Sequence, residues 1–121
     1  MATKPYDLKL RTKKFAIEIL QFVDSLPSKR SANIIANQVG RSGTSVAANF
    51  RASQRAKSTK DFINKLKICE EECDETLFWL EVLTEGNFYN STKASELMKE
   101  ANELVAIIVK SIQTTRSNSN N

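Results

Sequence analysis

The apolar residues of this 121-residue chain recur at helical spacing, three to four positions apart, in four long segments. Only three glycines and two prolines occur, and both prolines, Pro5 and Pro27, lie outside the long periodic runs. Because glycine and proline interrupt helices most strongly, their scarcity favours long helices. No segment of any length alternates apolar and polar residues as a half-buried strand would. The chain is therefore predicted to be all-α.

Local signals mark where these helices start and stop. The Leu26-Pro27 pair ends the first helix, since the residue before a proline avoids the helical conformation. Ser58 with Asp61 three positions later resembles a capping box, and Gly86 is a typical residue for a helix end. The predicted helices are Asp7–Ser25, about 28–31 to Lys57, Ser58–Glu85, and Asn90 or Ser91 to about Thr114.

Four amphipathic helices with short connections most simply form an antiparallel, up-down-up-down four-helix bundle. Residues 1–114 are assigned to this one domain, because 121 residues suffice for a single ordinary core. Residues 115–121 are polar and are expected to form a disordered tail.

Two cysteines, Cys69 and Cys73, lie four positions apart on the third predicted helix. This spacing suits neither a disulfide nor a metal site, particularly because the chain has no histidine. They are predicted to be small core residues. No cofactor and no metal are predicted.

The composition argues against an enzyme. Without histidine there is no ordinary general base near neutral pH and no Ser-His arrangement. No apolar stretch approaches 20 residues and no signal-peptide pattern is visible, so a cytoplasmic protein with no membrane partner is expected.

Charge is segregated along the chain. Residues 25–60 hold seven basic side chains and no acid, whereas residues 68–92 hold seven acids and no base. The two segments are candidates to neutralise each other, within the bundle or between subunits.

The stretch RSGTSVAANFRASQR, residues 41–55, is unusual because small residues and arginines dominate it. On a helical wheel, Arg30, Arg41, Arg51 and Arg55 form one stripe opposite the apolar face. Small residues, including Gly43 and Ala47, form another stripe. A glycine inside a helix costs about 1 kcal/mol relative to alanine, so a close helix crossing or a subunit contact should compensate.

Two functions remain open from the residues alone. The arginine stripe could bind the phosphate backbone of RNA or DNA. Alternatively, the basic and acidic faces could serve self-assembly or a protein partner, with a heterologous contact closing a ring. The residues predicted for an oligomer interface are Gly43, Ala47, Glu71, Glu75, Phe78 and Trp79, with the two aromatics as typical interface residues.

Residues Gln38–Leu83 resemble a family of small bacterial proteins first noted as open reading frames in 23S rRNA intervening sequences. The family pattern is approximately Q-x-x-R-S-x-x-S-[IV]-x-x-N, then R-x-S-x-x-[DE]-F, then E-x-x-x-x-L-x-x-L. The matching positions are Gln38, Arg41, Ser42, Ser45, Val46, Asn49, Arg55, Ser58, Asp61, Phe62, Glu75, Leu80 and Leu83. The chain departs from the family at residues 50–53 and at Glu71-Glu72, which places it in a divergent branch.

The resemblance implies an up-down-up-down bundle that assembles as a homopentamer. It also implies association with RNA, or a role like that of the accessory protein of a reverse transcriptase, rather than catalysis.

Overall fold

The computed structural model describes residues 5–119, with side chains from residue 7 onward. Four α-helices account for nearly all of it: α1 Pro5–Ser25, α2 Arg30–Ser53, α3 Thr59–Glu85 and α4 Thr92–Ser119. No strand occurs among the described residues, which confirms the all-α prediction. None of these helices combines sufficient length and apolar character to span a membrane.

Adjacent helices run in opposite directions. Between α1 and α2, Ile19 lies against Gly43 and Val23 lies against Gly40. Residue numbers therefore rise along one helix as they fall along the other. The same holds for α2 and α3, where Ser42 contacts Thr76 and Val46 contacts Cys69. With the contacts between α3 and α4 and between α4 and α1, the helices close into a four-membered bundle.

The core is built from the predicted apolar stripes. Each helix buries one face, and the faces meet along the axis of the bundle. The largest fully buried side chains include Phe15 and Phe50, with leucines and isoleucines between them. Removing this apolar surface from water, at about 25 cal/mol per Å², is the main force that holds the helices together.

The predicted capping box at Ser58 is present, and Ser91, one of the two residues predicted to start the fourth helix, caps α4. Ser58 Oγ accepts a hydrogen bond from the Asp61 amide at 3.0 Å, and the Asp61 carboxylate accepts one from the Lys57 amide at 3.2 Å. Ser91 Oγ accepts a hydrogen bond from the Ala94 amide at 3.1 Å. These bonds satisfy amides that the first turn of a helix leaves without partners.

The end of α2 differs from the prediction, whereas α3 ends at Glu85, directly before Gly86, as predicted. Helix α2 ends at Ser53 rather than near Lys57, because the Arg55 and Ala56 amides bond three residues back and tighten the chain into a turn. At the end of α3 the left-handed residue is Asn87, with φ 57°, whereas Gly86 keeps a right-handed conformation.

Helix α4 continues to Ser119, although residues 115–121 were expected to form a disordered tail. The hydroxyls of Thr115 and Ser119 donate to carbonyls four residues earlier, at 2.8 and 2.7 Å, so these polar residues are accommodated in the helix. Residues 1–4 and 120–121, which the domain assignment also covers, lie outside the described residues.

Helices α1 and α2 approach each other closely at Gly43. A Cβ added there would lie 2.8 Å from Ile19 Cγ2 and 2.9 Å from its Cγ1. Both residues are buried, so the absence of a side chain at Gly43 lets Ile19 pack directly on the α2 backbone. The compensation for this helix glycine is therefore a crossing inside the bundle.

Both thiols lie in the core, as predicted. Cys69 Sγ donates to the Val46 carbonyl on α2, and Cys73 Sγ to the Ala101 carbonyl on α4. Burial is the largest cause that raises the pKa of Cys69 and of Cys73 to about 12.

Alanine substitution at two glycines of α2 should have opposite effects. Gly43→Ala gains helix propensity but forces the β-branched Ile19 to move, so we expect a net loss of about 1–2 kcal/mol in unfolding free energy. Gly40→Ala is the matched control, because its new methyl would meet only Val23 at 3.9 Å. It should stabilise the protein by about 0.5–1 kcal/mol. Urea unfolding measures both, and equal effects would contradict the close crossing.

The buried thiols predict alkaline sensitivity. Because the folded-state pKa lies above the unfolded value of about 8.5, thiol burial stabilises the protein fully below that pH and progressively less as pH rises toward 12. Urea unfolding between pH 8 and pH 10.5 should show a smaller alkaline loss in Cys69→Ala/Cys73→Ala than in wild type. If the free energy of unfolding falls equally steeply with pH in both proteins, groups other than the two thiols cause the alkaline loss.

Candidate nucleic-acid interface

The predicted arginine stripe is divided along α2. Arg30 is the first residue of the helix, and Arg51 lies in its last turn. At 1.5 Å per residue their backbones are about 32 Å apart, near opposite ends of the bundle. Arg55 lies beyond the helix, in the turn that leads to α3. The four arginines therefore do not form one continuous site.

Arg41, at the middle of α2, is paired with acids of its own chain. Its guanidinium donates to Glu72 Oε2 at 2.9 Å and to Glu75 Oε2, both on α3. The hydrogen bond with Glu75, followed by that with Glu72, raises the pKa of Arg41. The neutralisation foreseen between the basic and acidic segments thus occurs within one chain at this position.

Arg51 and Arg55 lie in a different environment. With Lys57 and Lys65 they line an open cleft of about 680 Å³ between the end of α2 and the start of α3. We call these four residues the basic cleft. Within residues 7–119, none of their side-chain nitrogens has a carboxylate oxygen within 4 Å.

One acid, Asp61, also lines the basic cleft. Its carboxylate is engaged in the cap of α3, where it accepts a hydrogen bond from the Lys57 amide. Four cations therefore share the cleft with one acid, so its lining carries a net positive charge at neutral pH.

The predicted interface residues on α2 are not equivalent. Gly43, which was assigned to a subunit interface, is buried against Ile19 of its own chain. Ala47 is half-buried. The stripe of small residues serves the packing of α1 on α2 at the position of Gly43.

The predicted interface residues on α3 are at the surface to different degrees. Glu71 is exposed, whereas Glu75 is half-buried and paired with Arg41. Phe78 is 52% exposed, and its ring meets the half-buried Trp79 edge-on with ring centres 5.1 Å apart.

Sequence reasoning missed the contribution of Lys65 and the pairing of Glu72 with Arg41. Lys65 lies one helical turn after Asp61, and the short turn at residues 54–58 returns α3 alongside α2. That turn and the cap at Ser58 were recognisable, so the approach of Lys65 to Arg55 had a signal in the sequence. The pairing of Arg41 with Glu72 depends on the register of α2 against α3, and nothing in the sequence indicated that register.

A second ionic cluster joins α1 to α4. Arg11 donates to both carboxylate oxygens of Glu100 at 2.7 Å and to Glu103 at 3.0 Å. The hydrogen bond with Glu100 is the largest cause that raises the pKa of Arg11. Lys93 pairs with Glu18 at 3.1 Å. No group of three or more acids or cysteines within the described residues is arranged to hold a metal ion.

Comparison with known proteins identifies the family. Residues 6–110 match the model of the 23S rRNA-intervening sequence protein family. The chain belongs to this family. The match runs from the start of α1 to the last turns of α4.

A solved structure of this fold comes from Bacteroides thetaiotaomicron and is described as a protein with unknown function from the S23 ribosomal protein family. It is 30% identical to this member of the intervening-sequence protein family, with a TM-score of 0.84, and the alignment covers 92% of this chain and 99% of the other. No curated protein matches the chain. Neither the family's description nor that of the solved structure names a catalytic activity.

The pairing of Arg41 can be measured with a double-mutant cycle. We expect Arg41→Ala and Glu72→Ala to destabilise the protein less than additively when combined, because each variant already breaks the same ion pair. The coupling should shrink in ~1 M salt, since the Arg41 side chain is half-exposed. Urea unfolding provides the free energies.

The matched control combines Arg51→Ala with Glu72→Ala, on the same two helices but without a contact. The coupling energy of this control cycle should be close to zero. Equal coupling in the two cycles would show that the Arg41 pair is not formed in solution.

Proposed function

We propose that this member of the 23S rRNA-intervening sequence protein family is a non-enzymatic, homo-oligomeric protein that binds RNA or another nucleic acid through the basic cleft. The observation that carries the proposal is the cluster of Arg51, Arg55, Lys57 and Lys65 around one open cleft, with no ion pair to any side chain of residues 7–119. Arginine and lysine both bind phosphate well, and arginine does so with two parallel hydrogen bonds.

The division of the arginine stripe narrows the nucleic-acid site. Arg41 already donates to two carboxylates, and a phosphate would have to displace them. Arg30 lies at the far end of α2. The proposed site therefore keeps Arg51 and Arg55 from the predicted four and adds two lysines.

The shape of the cleft suits a phosphate backbone better than a small molecule. It is open to solvent along the α2–α3 turn and is bordered by long, flexible cationic side chains. Binding of this kind depends on the release of counterions and carries little sequence specificity. Self-association, with a pentamer implied by the resemblance, would repeat the cleft and increase affinity through multivalency.

A structural or adaptor role is the second candidate. It is favoured by the half-exposed Phe78, which lies on α3 near the exposed acids Glu71 and Asp74. A partner for this face would be a protein rather than a nucleic acid, since acids repel phosphate. A reverse transcriptase is one partner class consistent with the resemblance.

The basic cleft predicts a specific weakening of nucleic-acid binding. Binding of wild type to a stem-loop RNA should weaken as salt increases. In Arg51→Ala/Arg55→Ala the dependence of log K on log salt should become less steep, by about 1 for each arginine that pairs with a phosphate in wild type. Fluorescence anisotropy across a salt series measures both quantities.

Lys29→Ala/Arg30→Ala is the matched control, because it removes the same charge from exposed residues at the opposite end of α2. It should retain the wild-type slope. The nucleic-acid proposal fails if wild type shows no salt-dependent binding, or if the two double variants behave alike. In that event the adaptor role is favoured.

A further inference from the structure

The outer surface of α1 carries an apolar row that nothing in the described part of its own chain covers. Leu10, Ile17 and Leu20 are 48%, 50% and 48% exposed. On the helix they share one side with the exposed Lys13 and Lys14. Neither lysine has a carboxylate within 4 Å among the described residues. Such a row of large apolar side chains is typical of a surface that binds another protein.

The outer surface of α3 has the complementary composition. Ile68 is 37% exposed and Phe78 is 52% exposed. Between them, on the same side of the helix, lie the exposed acids Glu71 and Asp74. Neither acid has an ion-pair partner within residues 7–119.

The two surfaces have the same length and carry opposite charges. Leu10 and Leu20 are separated by ten positions, as are Ile68 and Phe78, so each row extends about 15 Å. Two lysines lie between the apolar ends on α1, and two acids lie between them on α3. Side by side, the rows would bury apolar groups at both ends and pair opposite charges at the centre.

The two surfaces cannot meet within one chain. Helices α1 and α3, as far as the structure describes them, are not neighbours in the bundle, because α2 and α4 lie between them. We propose that the outer face of α1 docks onto the outer face of α3 in a second copy of this chain. The inference rests on the self-association in the proposed function and names the surfaces that would carry it.

A contact between two different faces is heterologous, so each copy keeps one free face of each kind. Assembly therefore continues beyond a dimer until a ring closes. The basic cleft lies at the α2–α3 turn and contains none of the docking residues, so it would stay accessible in the assembly.

Charge reversal tests the docking. Lys13→Glu/Lys14→Glu and Glu71→Lys/Asp74→Lys should each lower the molar mass, measured by sedimentation equilibrium at micromolar concentration, toward the 13.6 kDa of one chain. A chain that carries both sets of reversals should recover the assembly, because the signs match again. Leu20→Ser and Phe78→Ser should weaken assembly without changing charge.

Lys99→Glu/Lys110→Glu on α4 is the matched control and should retain the wild-type mass. Circular dichroism identifies any variant that fails to fold. If a charge-reversal variant does not fold, the serine variants test the same two surfaces. The proposal is overturned if wild type is monomeric, if single-face reversals leave the mass unchanged, or if the combined reversals do not restore it.

These outcomes separate the docking from the proposed function. An assembly that resists both charge reversals leaves self-association standing and rejects these two surfaces. A monomeric wild type rejects self-association itself. RNA binding, measured on the same variants, depends on the basic cleft and should survive in either case.

Discussion

Helix α2 lies antiparallel to α3, with the hydroxyl oxygens of Ser42 and Thr76 2.8 Å apart at the buried centre of the pair. Thr76 also lies 2.8 Å from the Glu72 carbonyl one turn earlier, so its buried hydroxyl is fully satisfied. This polar contact, together with the contact of Val46 with Cys69, sets the register of the two helices. A shift by one turn would break the contact between the two hydroxyls and leave each with only a carbonyl of its own helix, Val39 for Ser42 and Glu72 for Thr76.

That register determines which charges remain available at the surface. It brings Arg41 beside Glu72 and Glu75, so the middle of the basic segment is neutralised within the chain. Toward the start of α3 the only acid is Asp61, which is engaged in the helix cap, and three lysines, Lys60, Lys65 and Lys67, lie nearby in the sequence. The positive charge therefore accumulates at one end of the bundle, around the α2–α3 turn, where the basic cleft lies.

The opposite side of the bundle depends on a different constraint. Ile19 packs on the bare backbone at Gly43, which draws α1 close to α2. Because the opposite face of α1 packs in this crossing, Leu10, Ile17 and Leu20 are exposed to solvent. The same packing thus stabilises the monomer and leaves the apolar row from which we infer docking to a second copy.

The four helices, their buried faces and the cap at Ser58 were predictable from the amino-acid sequence, whereas the start of α4 stayed open between Asn90 and Ser91. These features follow from local chemistry: the spacing of apolar residues over one helical turn, and short polar side chains that bond amides three residues on. The end of α4 was missed because Ser, Thr and Asn have weak helix propensity, while the hydroxyls of Thr115 and Ser119 bond within the helix.

The surroundings of the arginines, in contrast, depend on tertiary packing. All four share one side of a helical wheel, yet Arg41 meets two acids while Arg51 and Arg55 join two lysines. A helical wheel shows the direction in which a side chain leaves its helix. It does not show the position of the residue along the helix axis or which residue of a neighbouring helix lies beside it. Those depend on how two helices are aligned along their length, which is set by the buried contacts of Gly43, Ser42 and Thr76.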